Sequence, residues 1–294
     1  MKKIILLISI FLSAILLTQA QESIKAFDTP PVGNEVKIFA EGIVNTKNYE
    51  LNSVFSPDGT EFVFTRTVND KETIYISYYK NDKWTTPEPI SFTDEYNDVD
   101  PNYSPDGNTI LYCSFKPIDG KIPEAIQLFA VDRKGDSWGK PYHIKIPGFD
   151  TKNRILYPSL TKNNKLYFHV TDTLDKIHKN IYVADYKDGI CSNVKKLGAH
   201  ISSEYAEGDV FVDHQEKYLI FPSRRPGGYG SGDLYISVNK NGEWQEPINM
   251  GATINKEPYD FCPVISPDYK YFFFTRQGVI YWTDFQELLK QIQK

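Results

Sequence analysis

The chain has 294 residues, enough for one large repeated architecture or two ordinary domains. A formal net charge of −5 argues against a nucleic-acid binder with a broad basic face. With 20 Tyr and 18 Phe against 2 Met, the composition favours strands over helices and leaves ample apolar side chains for a sizeable core.

Lys2 and Lys3 precede an apolar run from Ile4 to Leu17, and Thr18-Gln19-Ala20 offers a small-residue cleavage site before Gln21. This pattern predicts a signal peptide over residues 1–20, a mature chain of residues 21–294, and a secreted or periplasmic protein. The run is too short to span a bilayer comfortably, so no transmembrane segment is expected once the signal is removed. No Cys lies near the cleavage point, which argues against a lipid anchor.

Beyond an isolated strand-like segment, EVKIFAEGI from Glu35, the chain repeats one unit. VFSPDGTEFVFTR, from Val54 to Arg66, reads as apolar strand, tight turn, apolar strand. Pro57 presets φ, Asp58 can bond its own backbone, and Gly59 allows φ > 0. The unit recurs as YSPDGNTILYCS from Tyr103 and ISPDYKYFFFTR from Ile265, with degenerate copies LTKNNKLYFHV from Leu160 and VDHQEKYLIFPSR from Val212. Aligned at Ser56, Ser104, Thr161, Val212 and Ser266, the copies are separated by about 50 residues, the range of propeller blades.

Each turn is followed by a second strand and then by a third carrying an aliphatic–aromatic pair. The pairs are Ile74-Tyr75, Leu128-Phe129, Ile181-Tyr182, Leu234-Tyr235 and Ile280-Tyr281. A fourth segment follows in four copies, with Trp and Pro in three of them (KWTTPEPI, SWGKPYHI, EWQEPINM); Pro suits an edge strand because it lacks an N–H. The fifth copy lacks a fourth segment, so Glu35–Ile43 is expected to complete it and close the ring, hiding open sheet edges. Phe285, Leu288, Leu289 and Ile292 recur at helical spacing, predicting a short amphipathic helix over Asp284–Gln293. The expected fold is therefore all-β: a five-bladed propeller of four-stranded antiparallel blades, with six blades as the alternative.

The SPDG turn, the following Phe-Thr-Arg and the Asp-Leu-Tyr-Ile-Ser strand resemble the WD40-like (PD40) β-propeller repeats of TolB-like proteins. SRRPGGYGSGDLYIS from Ser223 is similar to the propeller segment of exported bacterial proteins fused to OmpA-like peptidoglycan-binding domains. The resemblance covers nearly the whole mature chain, although neither an OmpA-like domain nor an amino-terminal TolB domain is present, and TolB itself has six blades. It implies an interaction scaffold in the cell envelope, binding a protein or a glycan or peptidoglycan-derived ligand. A monomer is expected.

The topology places strand-one starts and strand-two ends on one face. There Tyr49, Glu50, Asp98, Asp100, Arg154, Tyr205, Glu207, Tyr259 and Asp260 meet Arg66, Lys116, His169, Arg224, Arg225 and Arg276. Three readings follow. Acid–base pairs could tie neighbouring blades together. Arg66, Arg224 and Arg276 could grip a carboxylate or phosphate, with Tyr49 and Tyr259 stacking on the ligand. Glu50, Asp98, Glu207 and Asp260 could supply a glycosidase's acid and base, as in five-bladed furanosidases whose repeat motifs do not resemble these.

Other chemistry is sparse. Asp94, Asp98 and Asp100 offer hard oxygens for Ca²⁺ but lack the Gly and terminal Glu of an EF-hand loop, and no other cofactor is expected. The five histidines show no paired metal spacing. Gly228–Gly232 is no nucleophile elbow, because Tyr229 stands where Gly is needed. Of Cys113, Cys191 and Cys262, at least one is unpaired, and a disulfide between the others remains open.

Overall fold

The computed structural model describes residues 24–93, 95–171 and 179–292. The signal-peptide reading and Asp94 therefore lie outside the described residues, as do His178 and Gln293. Five antiparallel sheets are arranged as the blades of a five-bladed propeller. In blade one the innermost strand, Tyr49–Phe55, pairs with Glu61–Val68, which pairs in turn with Lys71–Lys80. Blade two repeats this order with Asp98–Tyr103, Thr109–Ser114 and Gln127–Lys134, and blade three with Arg154–Leu160, Lys165–Thr171 and Lys179–Lys187. Blade four uses Phe211–Val212, Tyr218–Ser223 and Asp233–Lys240, and blade five Asp260–Ile265, Tyr271–Arg276 and Val279–Asp284.

The outer strands follow the proline pattern. Where Pro87, Pro141 or Pro247 stands, the fourth strand is split into two short pieces, such as Lys83–Trp84 and Glu88–Pro89. Blade three has no proline in this segment, and its outer strand runs unbroken from Ile190 to Lys196. A missing N–H at the break explains the difference.

Turn chemistry is repeated atom for atom. In blade one the Ser56 hydroxyl donates to Asp58 (2.5 Å) and accepts from the Glu61 N–H (2.9 Å), while Asp58 accepts from Thr60. Ser104–Thr109 and Ser266–Tyr271 make the same contacts. Blade four corrects the sequence alignment by one residue. Asp213, not Val212, takes the serine position, since its N–H bonds Tyr218 five residues on, as Ser56 bonds Glu61. Its carboxylate caps the Lys217 and Tyr218 N–H groups in place of the serine hydroxyl.

Ring closure is present as expected. Lys37 and Ile38 pair antiparallel with Trp282 and Tyr281, and the Phe39 N–H donates to the Ile280 carbonyl at 3.0 Å. The closing segment is anchored by Phe39, fully buried among Phe27, Phe55, Phe62, Phe273 and Trp282 with ring centroids 5.1–6.3 Å away. The aliphatic member of each third-strand pair (Ile74, Leu128, Ile181, Leu234, Ile280) is fully buried. Phe285–Ile292 forms the expected helix. Asp284 caps the Glu287 N–H, and Phe285 and Leu288 pack down with the Phe285 ring edge-on to Tyr218. An eight-residue helix is marginal alone, so this packing holds it. Cys113, Cys191 and Cys262 are buried free thiols. Among the described residues no helix is long and apolar enough to cross a membrane.

Removing the Phe39 ring leaves a cavity in an aromatic cluster. Phe39→Ala is expected to cost about 3–5 kcal/mol and to lower Tm by on the order of 10 °C for a domain of this size, with deletion of Glu35–Ile43 more damaging still. Thermal unfolding followed by circular dichroism tests this, and an unchanged curve for the deletion would show that the ring does not depend on its closing strand.

Candidate functional site

The charged residues of the strand-one-start face fall into two groups. The first group is engaged in clamps. Arg66 stacks on Phe64 and Tyr75 (5.1 and 4.8 Å), its Nε donates to Glu50 at 2.9 Å, and its Nη2 donates to the Ile43 and Val44 carbonyls. Glu50 is fully buried and also accepts from Thr46. Arg225 repeats the arrangement on Phe221 and Tyr235, with Glu207 at 3.5 Å and the His200 and Ile201 carbonyls as acceptors. Arg276 does so on Phe274 and Tyr281, with Asp260 at 2.7 Å and the Ile254 carbonyl. In blade two Lys116 meets Asp98 at 3.2 Å.

Each of these pairs lies within one blade, not between blades. The cation ties the approach to strand one to the end of strand two, so the clamp sets how the inner strand enters the ring in blades one, two, four and five. Breaking one partner of such a buried pair costs about 3–5 kcal/mol, because it strands the other charge. Burial pushes the Asp260 carboxyl up to about 6, opposed by the Lys256 N–H and the Arg276 charge.

Two of the three tyrosines named from sequence, Tyr49 and Tyr259, join blades, while Tyr205 is exposed. The ring of Tyr49 lies over Gly278 and that of Tyr259 over Gly232, each a glycine of the preceding blade where a Cβ would fall about 2 Å from the ring. Main-chain bonds run alongside, from the Glu50 N–H to the Gly278 carbonyl (3.0 Å) and from the Asp260 N–H to the Gly232 carbonyl (3.3 Å). Arg224 is exposed, with its guanidinium 6.0 Å from the Tyr259 ring.

The second group encircles the axis. In each blade one residue, four positions before the turn, adopts a left-handed backbone: Asn52 (φ 51°), Asp100 (φ 53°), Tyr157 (φ 59°), Asp209 (φ 35°) and Cys262 (φ 50°); all lie in the inner strand except Asp209, which precedes Phe211–Val212. In blades one, two, three and five this residue falls at a β-bulge, where the register against strand two slips. Bulges re-aim side chains, and these meet one another. The Asn52 amide and the Cys113 thiol both reach the Asp100 carboxyl. The Tyr157 hydroxyl donates to the Pro263 carbonyl at 2.9 Å and contacts Cys262, so a blade-three side chain reaches blade five. The Asp209 N–H donates to His169 Nδ1 at 2.9 Å.

Charge around this wheel is mixed. Burial pushes the Asp100 carboxyl up to about 8, reinforced by Asp209 and Glu72 and opposed by Arg154. Glu72 is raised too, by burial, again against Arg154. Burial, with Lys179 and Arg154 nearby, holds His169 well below its usual value. His169 is therefore neutral, and since Nδ1 accepts a bond, its proton sits on Nε2. That donor and the Asn52 Oδ1 acceptor are buried without partners. Among the described residues no group of three or more His, Cys, Asp or Glu could hold a metal ion. Asp98 is spent on Lys116, and Asp100 belongs to the wheel.

With the geometry in hand, solved structures offer a comparison. The chain is similar to a putative TolB from Agrobacterium tumefaciens, with a TM-score of 0.53 and 16% identity over 78% of this chain and 70% of that one. It is also similar to TolB from Acinetobacter baumannii, with a TM-score of 0.51 and 15% identity over 82% of this chain and 56% of that one. The fold is a TolB-like β-propeller. At these identities the likeness carries the fold and no residue role. No protein-family model matches the chain, and no curated protein matches it in sequence.

Within this TolB-like propeller, sequence reasoning brought out Glu50, Arg66, Asp98, Glu207, Arg225, Asp260 and Arg276, which the fold assembles into clamps. It passed over Tyr157, Asp209, Cys262, Glu72 and Lys179. A signal existed for part of the wheel: Asp100-Pro101, Tyr157-Pro158 and Cys262-Pro263 place the same dipeptide pattern four residues before the turn.

Asp100 gives a pH test. Its folded value near 8 lies above the ordinary 3.8, so between the two the folded chain holds a proton that the unfolded chain releases. This group's contribution is complete below about pH 4 and is lost as pH rises through 8, at about 1.4 kcal/mol per unit of separation. Asp100→Asn should therefore flatten the fall of Tm between pH 5 and pH 9 relative to the unaltered protein. Parallel Tm–pH curves would mean that Asp100 ionises normally.

Proposed function

We propose that this protein is an exported binding module of the bacterial cell envelope. It recognises a polar ligand or a protein partner on the face that carries strand-one starts and strand-two ends. In this reading residues 1–20 are removed as a signal peptide and the mature propeller works as a monomer in the periplasm or outside the cell.

The observation that carries the proposal is the wheel at the axis. All five blades keep the same left-handed geometry there, yet the residues are Asn, Asp, Tyr, Asp and Cys. A position repeated only for packing would repeat its side chain along with its backbone. Strained backbone of this kind costs of order 1–3 kcal/mol per residue and clusters at functional sites. Unspent polar atoms on Asn52 and His169 add hydrogen-bonding capacity that the fold does not consume. Arg154, Lys179, Glu72, Asp209 and the exposed Arg224 supply both signs of charge around it, which suits a ligand bearing both. The TolB-like fold supports a binding role as well.

The competing reading, a glycoside hydrolase, needs two free carboxylates near the axis. Glu50, Asp98, Glu207 and Asp260 are all fully buried, and each is held by a cation of its own blade. That arrangement favours binding over acid–base chemistry.

Arg224 separates binding from folding. As an exposed side chain outside the clamps, its change to Ala should shift stability by no more than about 0.5 kcal/mol. A thermal-shift screen of muropeptides, short peptides, oligosaccharides and nucleotides, with capture from envelope extract, identifies a binder through its stabilisation of the folded state. We expect the binder's effect to be weakened by Arg224→Ala at unchanged Tm. Oligosaccharide cleavage that survives this substitution would instead return the enzyme reading, and a large loss of Tm would make Arg224 a structural residue.

A further inference from the structure

The opposite end of the axis, where the five turns converge, carries a separate feature. A cavity of about 670 Å³ opens there, within the range of small-molecule sites. Its rim is formed by the second residue of each turn: Pro57, Pro105, Lys162, His214 and Pro267. Three blades supply the apolar ring that the repeat prescribes. Blades three and four, side by side, replace proline with Lys162 and His214, and the Lys162 N–H donates to the His214 carbonyl at 2.9 Å.

A second departure faces the same space. The fourth turn position is left-handed in all five blades, and two of them use glycine: Gly59 and Gly107. Blades three, four and five instead hold Asn164, Glu216 and, lining this cavity, Tyr269 at φ 58°, where a glycine would relieve the backbone. The Tyr269 hydroxyl donates to Asp213 of blade four at 2.5 Å, so the ring is drawn along the cavity wall.

The two carboxylates that line the cavity are engaged in internal bonds. Asp58 accepts from Ser56 and Thr60, and Asp213 accepts from the Gln215, Lys217 and Tyr218 N–H groups besides Tyr269. His214 Nε2 bonds the Tyr103 carbonyl at 3.1 Å, and burial holds the ring below its usual value, hence neutral. Among the described residues the Lys162 ammonium joins no ion pair. One uncommitted cation therefore stands at a rim of prolines and one tyrosine, with two carboxylates already satisfied nearby.

We propose that this turn-face cavity is a second ligand site, which takes a small organic monoanion with a flat apolar body. The ligand's carboxylate meets Lys162, and its body lies against the proline rim and Tyr269. A polyanion is disfavoured, because Asp58 and Asp213 would repel its further charges. This site is independent of the wheel at the other end of the axis.

N-Acetyl-phenylalanine and its neutral carboxamide are suitable probes, compared by isothermal titration on the purified protein. The acid should bind about tenfold more tightly than the amide, as expected for one charge-assisted contact at a partly shielded site. Lys162→Met, on an exposed turn, should erase that preference and leave the amide's affinity intact. Tyr269→Gly places there the glycine that blades one and two use, and should weaken both probes. Arg224→Ala should change neither. Failure of both probes to bind, equal affinity for acid and amide, or a preference that survives Lys162→Met would each overturn the proposal.

Discussion

A ring of sheets has exposed edges unless its last sheet is completed by the chain's beginning, and here two residues do that. Lys37 and Ile38 extend blade five, and Asn45 fastens the junction. Its amide donates to the Phe39 and Ile280 carbonyls at 2.5 and 2.9 Å, and its oxygen accepts from the Ile280 N–H at 2.8 Å. One side chain thus satisfies three main-chain groups, two of them on Ile280, 235 residues away in sequence. Two ladder pairs alone would be weak. The contact holds because Phe39 follows immediately and enters a cluster of five aromatic rings, where a buried aromatic contributes far more than a hydrogen bond.

Closure fixes the circumference, and the circumference decides what happens at the axis. Inner strands held at constant separation can direct one residue each towards the centre only if the strand kinks, and the β-bulge is the economical kink. Asn52, Asp100, Tyr157 and Cys262 take left-handed backbones for this reason, although none is glycine, and Asp209 takes the same conformation just before its short strand. Their cost is distributed around a closed ring whose clamps hold the approach of four of its five inner strands. The same bulge turns Tyr157 far enough across the axis to reach the Pro263 carbonyl.

The turns, the strand pairs and the closing segment were legible in the sequence because each is local. Ser56-Pro57-Asp58-Gly59 encodes its own geometry, and an aliphatic–aromatic dipeptide recurs wherever a third strand runs. Blade four was misread by one residue because His214-Gln215-Glu216 carries neither the Pro nor the Gly that marks the turn, and Asp213 caps it by carboxylate instead. The site was less legible for a different reason. Whether Glu50 faces a ligand or Arg66 depends on register across two strands, and whether Asp100 faces the axis depends on a bulge. Neither is a property of the residues themselves, although proline after three of the four bulge positions was a readable trace.

Arg224 and Arg225 show how repetition and departure can be told apart in such a fold. The clamp arginine follows its aromatic platform by two residues in blades one and five, as Phe64 to Arg66 and Phe274 to Arg276. In blade four Phe221 and Arg225 are four apart, and the chain between them carries Ser223 and Arg224. Ser223 remains inside, donating to the clamped Glu207 at 2.9 Å. Arg224 is left outside the clamp, beside Tyr259, with a charge that the architecture does not use. The repeat consumes its own charges to build the ring, so recognition must come from residues that the repeat does not require. By that criterion the two ends of the axis are not equivalent: one varies its side chains on a repeated strained backbone, the other replaces two prolines and three glycines of a repeated turn.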